Sequence, residues 1–354
     1  MQNTMNRKIT VENKTISDAS DCFVIAEIGH NHMGKLDVCM EMFRVAKECG
    51  ADAVKLQKRD NRSIYTKALY NQVYDNPNSY GTTYGEHREA LEFGLSEYSQ
   101  LKAYAKELGI TFFSTAFDLN SADFLQSLDM PLYKVASGDL KNTPLLKRIA
   151  QTGKPMILST GGGTIDDVRR ALDVISPINR QVAVLQCTAA YPCDFTELNL
   201  RVIETLREDF SDNVIGLSDH DNGIAMSVAA YVLGARIVEK HFTLNRANRG
   251  TDHAFSLEPI GLRKMVRDLK RTRLALGDGV KRQYPSETKP LAKMAKALYA
   301  ASDLKAGTTL SMEDVAFKSP GDQGLAPFQL DSYLGKRVTK DIQVDEPFTA
   351  EHFA

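Results

Sequence analysis

The chain has 354 residues, of which 43% are hydrophobic and 25% charged, so it can bury a large core. The length suits one large domain and a small one. A formal net charge of −1 excludes the strongly charged surface that draws nucleic acid or an anionic membrane without specificity. Any site for an anion must therefore be local.

The start of the chain and its cysteines predict a cytoplasmic protein. Residues 1–20 are polar and lack the apolar core of a signal peptide, and no later run approaches the roughly 20 apolar residues of a membrane span. Five cysteines, an odd number without a CxxC pair, indicate reduced thiols rather than a disulfide framework. We expect neither a membrane nor nucleic acid among the partners.

Eight short apolar runs alternate with longer stretches of helical period. The runs are residues 22–29, 53–57, 111–117, 132–137, 155–161, 182–188, 214–220 and 236–242. This alternation is typical of β-α units in a parallel sheet, and eight such units predict a TIM (β/α)8 barrel, an α/β fold.

Two segments interrupt this rhythm. Residues 58–96, rich in Asn, Tyr and Gly, follow the second strand, and an insertion of this length predicts an active-site loop. Near the C-terminus, short β-like runs with Gly and Pro turns predict a small, mostly β domain. The expected organisation is a catalytic barrel over 1–280, with a polar N-terminal extension over 1–20, a linker over 281–296 and a C-terminal domain over 297–354.

Polar residues collect at the C-terminal ends of the predicted strands. They are Glu27, Lys55, Gln57, Thr115, Lys134, Ser137, Ser159, Thr188, Ser218, His220 and His241. The C-terminal ends of barrel strands converge on one mouth, which is where TIM-barrel enzymes carry their active sites. Because the predicted strands all carry polar residues at the same end, an active site is a better interpretation than scattered loop residues.

His220 and His241 end adjacent predicted strands. Residues two apart on a strand face the same side, so Ser218 shares a face with His220. By the same rule Glu239 and His241 lie on one side of their strand, and Lys240 lies on the other. Two neutral imidazoles at one mouth can hold a divalent metal ion. The alternative is that each ring is a hydrogen-bonded core histidine.

Lys55 and Lys134 lie within otherwise apolar strands, where an unpaired ammonium is costly, so each needs an anionic partner. One candidate is a carboxylate such as Glu27 in a structural ion pair. The other is a phosphate or carboxylate of a substrate, assisted by hydroxyl groups and by the glycines of STGGGT at a helix start. The hydroxyls are those of Ser137, Ser159 and Ser218, and their number favours the substrate.

Nine motifs, in order along the chain, resemble those of the sialic acid synthases, the phosphoenolpyruvate-dependent nonulosonate synthases. The motifs are AEIGHNHMG (26–34), DAVKLQK (52–58), FFSTAFD (112–118), YKVASGDL (133–140), PMILSTGG (155–162), LQCTAAYP (185–192), IGLSDH (215–220), VEKHFT (238–243) and GTDHAFSLEP (250–259). The segment from about residue 297 resembles the antifreeze-like (SAF) domain that follows the barrel in these enzymes.

The resemblance implies that phosphoenolpyruvate condenses with the aldehyde of N-acetylmannosamine, or a related 2-acetamido hexose, to give an N-acetylneuraminate-type acid and phosphate. It implies that His220 and His241 bind Mn²⁺ or Mg²⁺ and take part in catalysis, and that Glu27 acts as acid or base. The residues implied to bind phosphoenolpyruvate are Lys55, Thr115, Lys134, Ser137, Ser159 and Ser218. Those implied to contact the sugar are Gln57, Phe117, Asp139, Tyr191 and Asp252.

Two departures from the family pattern bear on the choice of sugar. Asp139 stands where bacterial free-sugar synthases commonly have glutamate, and Ser319 stands where they often have an arginine that reaches the acyl group from the partner subunit. The SGD motif, Lys58 and residues 83–93 resemble the animal enzymes, which use the hexosamine 6-phosphate, and this is the alternative substrate. Lys58 or Arg88 would then meet the phosphate, although exposed surface charge is the simpler interpretation of each.

Two other classes of protein remain as alternatives. A metal-dependent barrel hydrolase or isomerase would use histidines at strand ends but would not need two strand lysines with serines. A non-enzymatic ice- or carbohydrate-binding protein would leave the barrel mouth unexplained. The resemblance also implies a domain-swapped homodimer, in which the C-terminal domain of one subunit caps the barrel of its partner.

Overall fold

The computed structural model describes residues 7–354. The chain divides into two compact units, one that ends at Gly277 and one that runs from Asp278 to Ala354. The predicted domain boundaries at residues 280 and 296 stay a prediction. None of the helices in the described residues combines the length and apolar character needed to cross a lipid bilayer.

The first unit begins with an antiparallel hairpin of β1 (Lys8–Val11) and β2 (Lys14–Ser17), where the sequence analysis expected only a polar extension. Its buried residues are Ile9, Val11 and Ile16. They belong to one apolar cluster with Phe23 and Ile25, which lie at the start of the first barrel strand. The hairpin therefore closes the N-terminal end of the barrel with side chains that alternate along a short polar segment.

Eight parallel strands then form a closed barrel, which confirms the predicted fold. The strands are β3 (Phe23–Gly29), β4 (Ala53–Lys58), β5 (Thr111–Ala116), β6 (Tyr133–Val135), β7 (Met156–Ser159), β8 (Val182–Cys187), β9 (Val214–Asp219) and β10 (Ile237–His241). They pair in chain order, and β10 closes the barrel against β3. Nearly every strand residue is buried, because one face packs inside the barrel and the other against helices.

Helices follow each barrel strand. They are α1 (Leu36–Glu48), α2 (Asn61–Ile64), α3 (Lys67–Tyr70), α4 (Tyr84–Glu89), α5 (Leu95–Leu108), α6 (Leu119–Ser127), α7 (Thr143–Ala150), α8 (Ile165–Ile175), α9 (Val202–Asp209), α10 (Ala225–Val232) and α11 (Pro259–Leu276). Several begin at a side-chain cap; the Asp118 carboxylate, for example, accepts a hydrogen bond from the Ser121 amide at 2.7 Å. Such caps fix the residue at which each helix begins after its strand, and so they shape the loops at the barrel mouth.

The insertion after β4 contains α2, α3 and α4 and packs beside the loop that follows β10. The Tyr80 hydroxyl donates to the Arg249 carbonyl, and the Gly250 amide donates to Asn78 Oδ1 at 3.2 Å. These contacts hold the insertion over the C-terminal side of the barrel, as the interpretation of residues 58–96 as an active-site loop expected.

The second unit contains α12 (Thr288–Met294), within the predicted linker, and an antiparallel pair of β11 (Ala297–Ala300) and β12 (Val315–Lys318). A separate apolar cluster that includes Leu298 and Phe348 forms its core. Ser319, at the position of the missing arginine, is exposed and donates a hydrogen bond to the Ala295 carbonyl at 2.9 Å.

Candidate active site

A cavity of about 430 Å³ opens at the C-terminal ends of the barrel strands. It is lined by all the predicted site residues except Asp139: Glu27, Lys55, Gln57, Thr115, Phe117, Lys134, Ser137, Ser159, Tyr191, Ser218, His220, His241 and Asp252. The convergence of strand ends in a parallel barrel is the physical reason that residues so far apart in sequence meet here.

Asp139 lies outside this cavity. It ends a short 3-10 helix after β6, and its Oδ1 accepts a hydrogen bond from Asn142 Nδ2 at 3.0 Å. The carboxylate lines a neighbouring depression that also contains Phe117. Its assignment to the sugar is therefore less direct than that of the residues within the cavity.

Four buried charges form a chain across the cavity floor. Lys55 Nζ lies 2.7 Å from Glu27 Oε2 and 3.6 Å from Glu239 Oε1, and Lys134 Nζ lies 3.2 Å from the same Glu239 oxygen. Each lysine thus has a carboxylate partner while still facing the cavity. The pairing with Glu27 is the structural ion pair expected as one alternative, and it leaves the lysines accessible to a ligand.

The two carboxyls of this chain differ in their pKa values. Burial raises the pKa of Glu27, although Lys55 opposes this effect. Burial also acts to raise the pKa of Glu239, but Lys134 and Lys55 together lower it to about 2. Glu239 is therefore a fixed anion that holds both lysines, whereas Glu27 is the carboxyl better suited to carry a proton.

His220 and His241 lie side by side, with ring centroids 5.4 Å apart. The distance from His220 Nδ1 to the Thr188 carbonyl is 2.8 Å, so Nδ1 carries the hydrogen and Nε2 keeps a lone pair. Burial lowers the pKa of His241 to about 4, and its buried Nδ1 has no hydrogen-bond partner within the described residues. Two adjacent imidazoles, each with a ring nitrogen that no protein group occupies within the described residues, fit a divalent cation.

The protein supplies few further metal ligands. Asp252 Oδ2 lies 3.6 Å from His241 Nδ1, and the Tyr191 ring packs 4.2 Å from that of His220. Across residues 7–354, no three His, Cys, Asp or Glu side chains come together as a metal site. A cation held by the two histidines would therefore take its other ligands from substrate or water.

Two arginines also line the cavity, and sequence reasoning missed the first of them. Arg59, which follows β4, is 8% exposed and lies 3.7 Å over the Phe117 ring. Arg88 belongs to α4 of the insertion and lies 2.9 Å from the Tyr84 hydroxyl. Within the described chain, neither guanidinium lies within 4.0 Å of a carboxylate oxygen. Their position depends on how the insertion folds back, which periodicity does not encode.

His30 lies between these arginines. Its Nε2 is 3.2 Å from Arg59 Nη1, and its Nδ1 is 3.2 Å from Arg88 Nη1. Burial, with the two arginines, lowers the pKa of His30 well below its usual value, so the ring is neutral. A neutral imidazole has one lone pair and can accept from only one guanidinium. Since a guanidinium has five N–H donors, both arginines keep donors that His30 does not accept, and both line the cavity.

The expectation that Lys58 and Arg88 are exposed surface charges is wrong for both. Lys58 faces away from the cavity, because it alternates with Gln57 on β4, and its Nζ donates to Glu92 Oε2 and to the Phe93 carbonyl, each at 3.0 Å. Arg88 lines the cavity. Of the two residues suggested for a sugar phosphate, only Arg88 is in a position to meet one.

Comparisons with known proteins identify the family of this chain. The model of the NeuB family matches residues 42–281, and that of the SAF domain matches residues 295–354. N-acetylneuraminate-9-phosphate synthase from Mus musculus is 39% identical over 330 residues, which cover 93% of this chain and 92% of that protein. N,N'-diacetyllegionaminic acid synthase from Campylobacter jejuni is 36% identical over 327 residues, covering 91% of this chain and 97% of that protein.

A solved structure has the same architecture. The N-acetylneuraminic acid synthetase from Leptospira borgpetersenii superposes with a TM-score of 0.70 at 30% identity, covering 81% of this chain and 95% of that one. These relatives leave no support for the hydrolase or isomerase alternative. The chain belongs to the NeuB family, the sialic and nonulosonic acid synthases, with a SAF domain at its C-terminus.

Proposed function

We propose that this synthase condenses phosphoenolpyruvate with a 2-acetamido hexose 6-phosphate, such as that of N-acetylmannosamine. A carbon-carbon bond forms between C3 of phosphoenolpyruvate and the aldehyde carbon, water adds at C2, and inorganic phosphate leaves. The observation that carries the choice of a phosphorylated sugar is the pair of cavity arginines, Arg59 and Arg88, which have no carboxylate partner within the described residues. The sequence had favoured the free sugar.

Phosphoenolpyruvate is assigned to the lysine side of the cavity. Lys55 and Lys134 provide two buried cations, and the Ser159 hydroxyl is buried without a hydrogen-bond partner within the described chain. A buried hydroxyl of this kind gains from an incoming phosphate or carboxylate oxygen. Glu239 keeps the lysines in place and moderates their charge before the substrate binds.

The arginine side suits the sugar phosphate. Guanidinium groups bind phosphate through paired N–H donors, and the neutral His30 leaves both arginines with donors to spare. The residue between the two sides is Gln57, whose Nε2 donates to Glu27 Oε1 at 2.7 Å. An amino sugar between the two anion sites would place its aldehyde near the histidines and Glu27.

We assign a divalent cation, Mn²⁺ or Mg²⁺, to His220 and His241. When bound, it would supply Lewis-acid polarisation of the aldehyde oxygen. Glu27, whose pKa is raised by burial, would hold or move the proton of the water that adds at C2. The buried setting of these groups keeps bulk water away from phosphoenolpyruvate.

The test is phosphate release from phosphoenolpyruvate and Mn²⁺ with N-acetylmannosamine, its 6-phosphate and other hexosamines in parallel. We expect release with the 6-phosphate at a kcat/KM at least about 10-fold above that with the free sugar, since one charge-assisted contact contributes about 1.5–3 kcal/mol. Equal or greater efficiency with a free sugar would overturn the choice of a phosphorylated substrate. No release with any aldose would overturn the synthase.

We also infer a homodimer, as the resemblance implied. Support comes from membership of the family and from the presence of a separate SAF unit. Light scattering should give a mass near twice the 39.3 kDa of the chain. A mass of one chain at assay concentrations would contradict the inference.

A further inference from the structure

A second group of buried charges lies behind the two histidines and does not line the cavity. This Lys240 cluster consists of Lys240, Asp219 and Asp221, each no more than 1% exposed. Lys240 Nζ lies 3.0 Å from Asp219 Oδ2, 2.7 Å from the Asp221 carbonyl, and donates to Asp221 Oδ1 as well. Two hydrogen bonds from this ammonium go to Asp221, and Asp219 is its second carboxylate partner.

The cluster ties together the residues that flank the histidines. Asp219 and Asp221 stand on either side of His220, and Lys240 directly precedes His241. Asp219 Oδ2 also accepts a hydrogen bond from Ser227 Oγ at 2.7 Å, which anchors the cluster to α10. Apolar side chains would pack these strands without the cost of burying three charges. The cluster therefore suggests a role in geometry rather than in stability.

The backbone ladder between β9 and β10 stops before the histidines, although β10 pairs with β3 as far as His241 with Glu27. Strands β9 and β10 pair in register up to Asp219 with Lys240, and the pairing ends there. Beyond it, the His220 carbonyl accepts from the Cys193 amide at 3.0 Å, and the His241 carbonyl accepts from the Leu257 amide at 2.8 Å. The two histidines are thus held by different neighbours, and Lys240 is the side chain that links the strand ends carrying them.

We propose that Lys240 is a positioning residue, which fixes the spacing of the His220 and His241 rings and thereby sets the affinity of this pair for a divalent cation. The proposal rests on the proposed metal site. It assigns Lys240 no contact with substrate, because the side chain lies on the outward face of β10 and points away from the cavity.

The test measures Mn²⁺ binding to the full-length protein without substrates, from the loss of the EPR signal of free Mn²⁺. Lys240→Met should raise the Mn²⁺ dissociation constant about 10- to 100-fold, the usual effect of removing groups that orient metal ligands. Asp221→Asn keeps the shape of the cluster and should raise the Mn²⁺ dissociation constant by a smaller factor. This second variant carries the test if Lys240→Met does not fold.

Asp52→Asn is the matched control. Asp52 lies just before β4, at the opposite end of the barrel, where its Oδ2 accepts from the Val24 amide at 2.9 Å. It should lower the melting temperature and leave Mn²⁺ affinity unchanged. Wild-type affinity in the folded Lys240 or Asp221 variants would overturn this inference alone. A wild type that does not bind Mn²⁺ would overturn the metal site and this inference together, whereas the phosphate-release assay tests the synthase separately.

Discussion

At the N-terminal end of the barrel the inward side chains are apolar, and two residues further along the same strands they are polar or reactive. The pairs are Ile25 and Glu27, Ala53 and Lys55, Phe113 and Thr115, Leu132 and Lys134, Ile157 and Ser159, Leu185 and Cys187, and Ile237 and Glu239. The first set packs against the hairpin, and the second lines the cavity. Two residues along each strand thus separate the side chains that stabilise the fold from those that line the ligand cavity.

This separation predicts that the two ends respond differently to mutation. The largest effect is expected from Phe113→Ala in the apolar end. Phe113 is fully buried, and removing such a ring costs about 3–5 kcal/mol of unfolding free energy. Chemical denaturation measures the loss. The kcat/KM of the folded fraction should remain near the wild-type value, and a large fall in it would contradict the separation.

In the polar end, His241→Ala should act in the opposite way. Removing one of two proposed metal ligands should lower kcat/KM by more than about 100-fold, beyond the range for groups that only orient ligands. The melting temperature without metal should fall less than in Phe113→Ala, because the His241 ring lines the cavity and its buried Nδ1 has no hydrogen bond to lose within the described residues. His352→Ala, at an equally buried histidine in the second unit, is the control and should keep most of the activity.

A smaller effect is expected within the cavity from Arg88→Gln. Loss of one charge-assisted contact should raise the KM for the sugar phosphate about 10- to 100-fold and leave that for phosphoenolpyruvate unchanged. Lys58→Gln is the matched control, since its ammonium bonds to Glu92 outside the cavity. If both substrates were affected equally by Arg88→Gln, the division into a lysine side and an arginine side would be wrong.

Sequence reasoning succeeded where the periodic pattern of apolar residues determines the structure. Eight apolar runs and their polar ends predicted the barrel and brought Lys55, Lys134 and His220 to one mouth, because parallel strands align their C-terminal ends. It missed Arg59 and preferred to interpret Arg88 as an exposed surface charge, because the placement of both depends on how the insertion packs against the loop after β10. It also missed the hairpin, in which only a few alternating residues are apolar, too few to distinguish a strand from a polar extension.

The smallest effect expected is a dependence of stability on pH that originates in the polar end. Burial lowers the pKa of His241 to about 4, against about 6.5 in an unfolded chain. Between these values the unfolded state binds more protons at this histidine, so the contribution of His241 to the free energy of unfolding should fall as the pH drops from about 6.5 toward 4. A single histidine limits this loss to about 1.4 kcal/mol per pH unit. Melting temperatures at several pH values should show a shallower loss in His241→Asn than in the wild type.

Phe113→Ala is the control, because this substitution removes no titrating group, so its melting temperature should depend on pH as steeply as that of the wild type. If both variants changed this dependence equally, the acid sensitivity would not arise at the mouth.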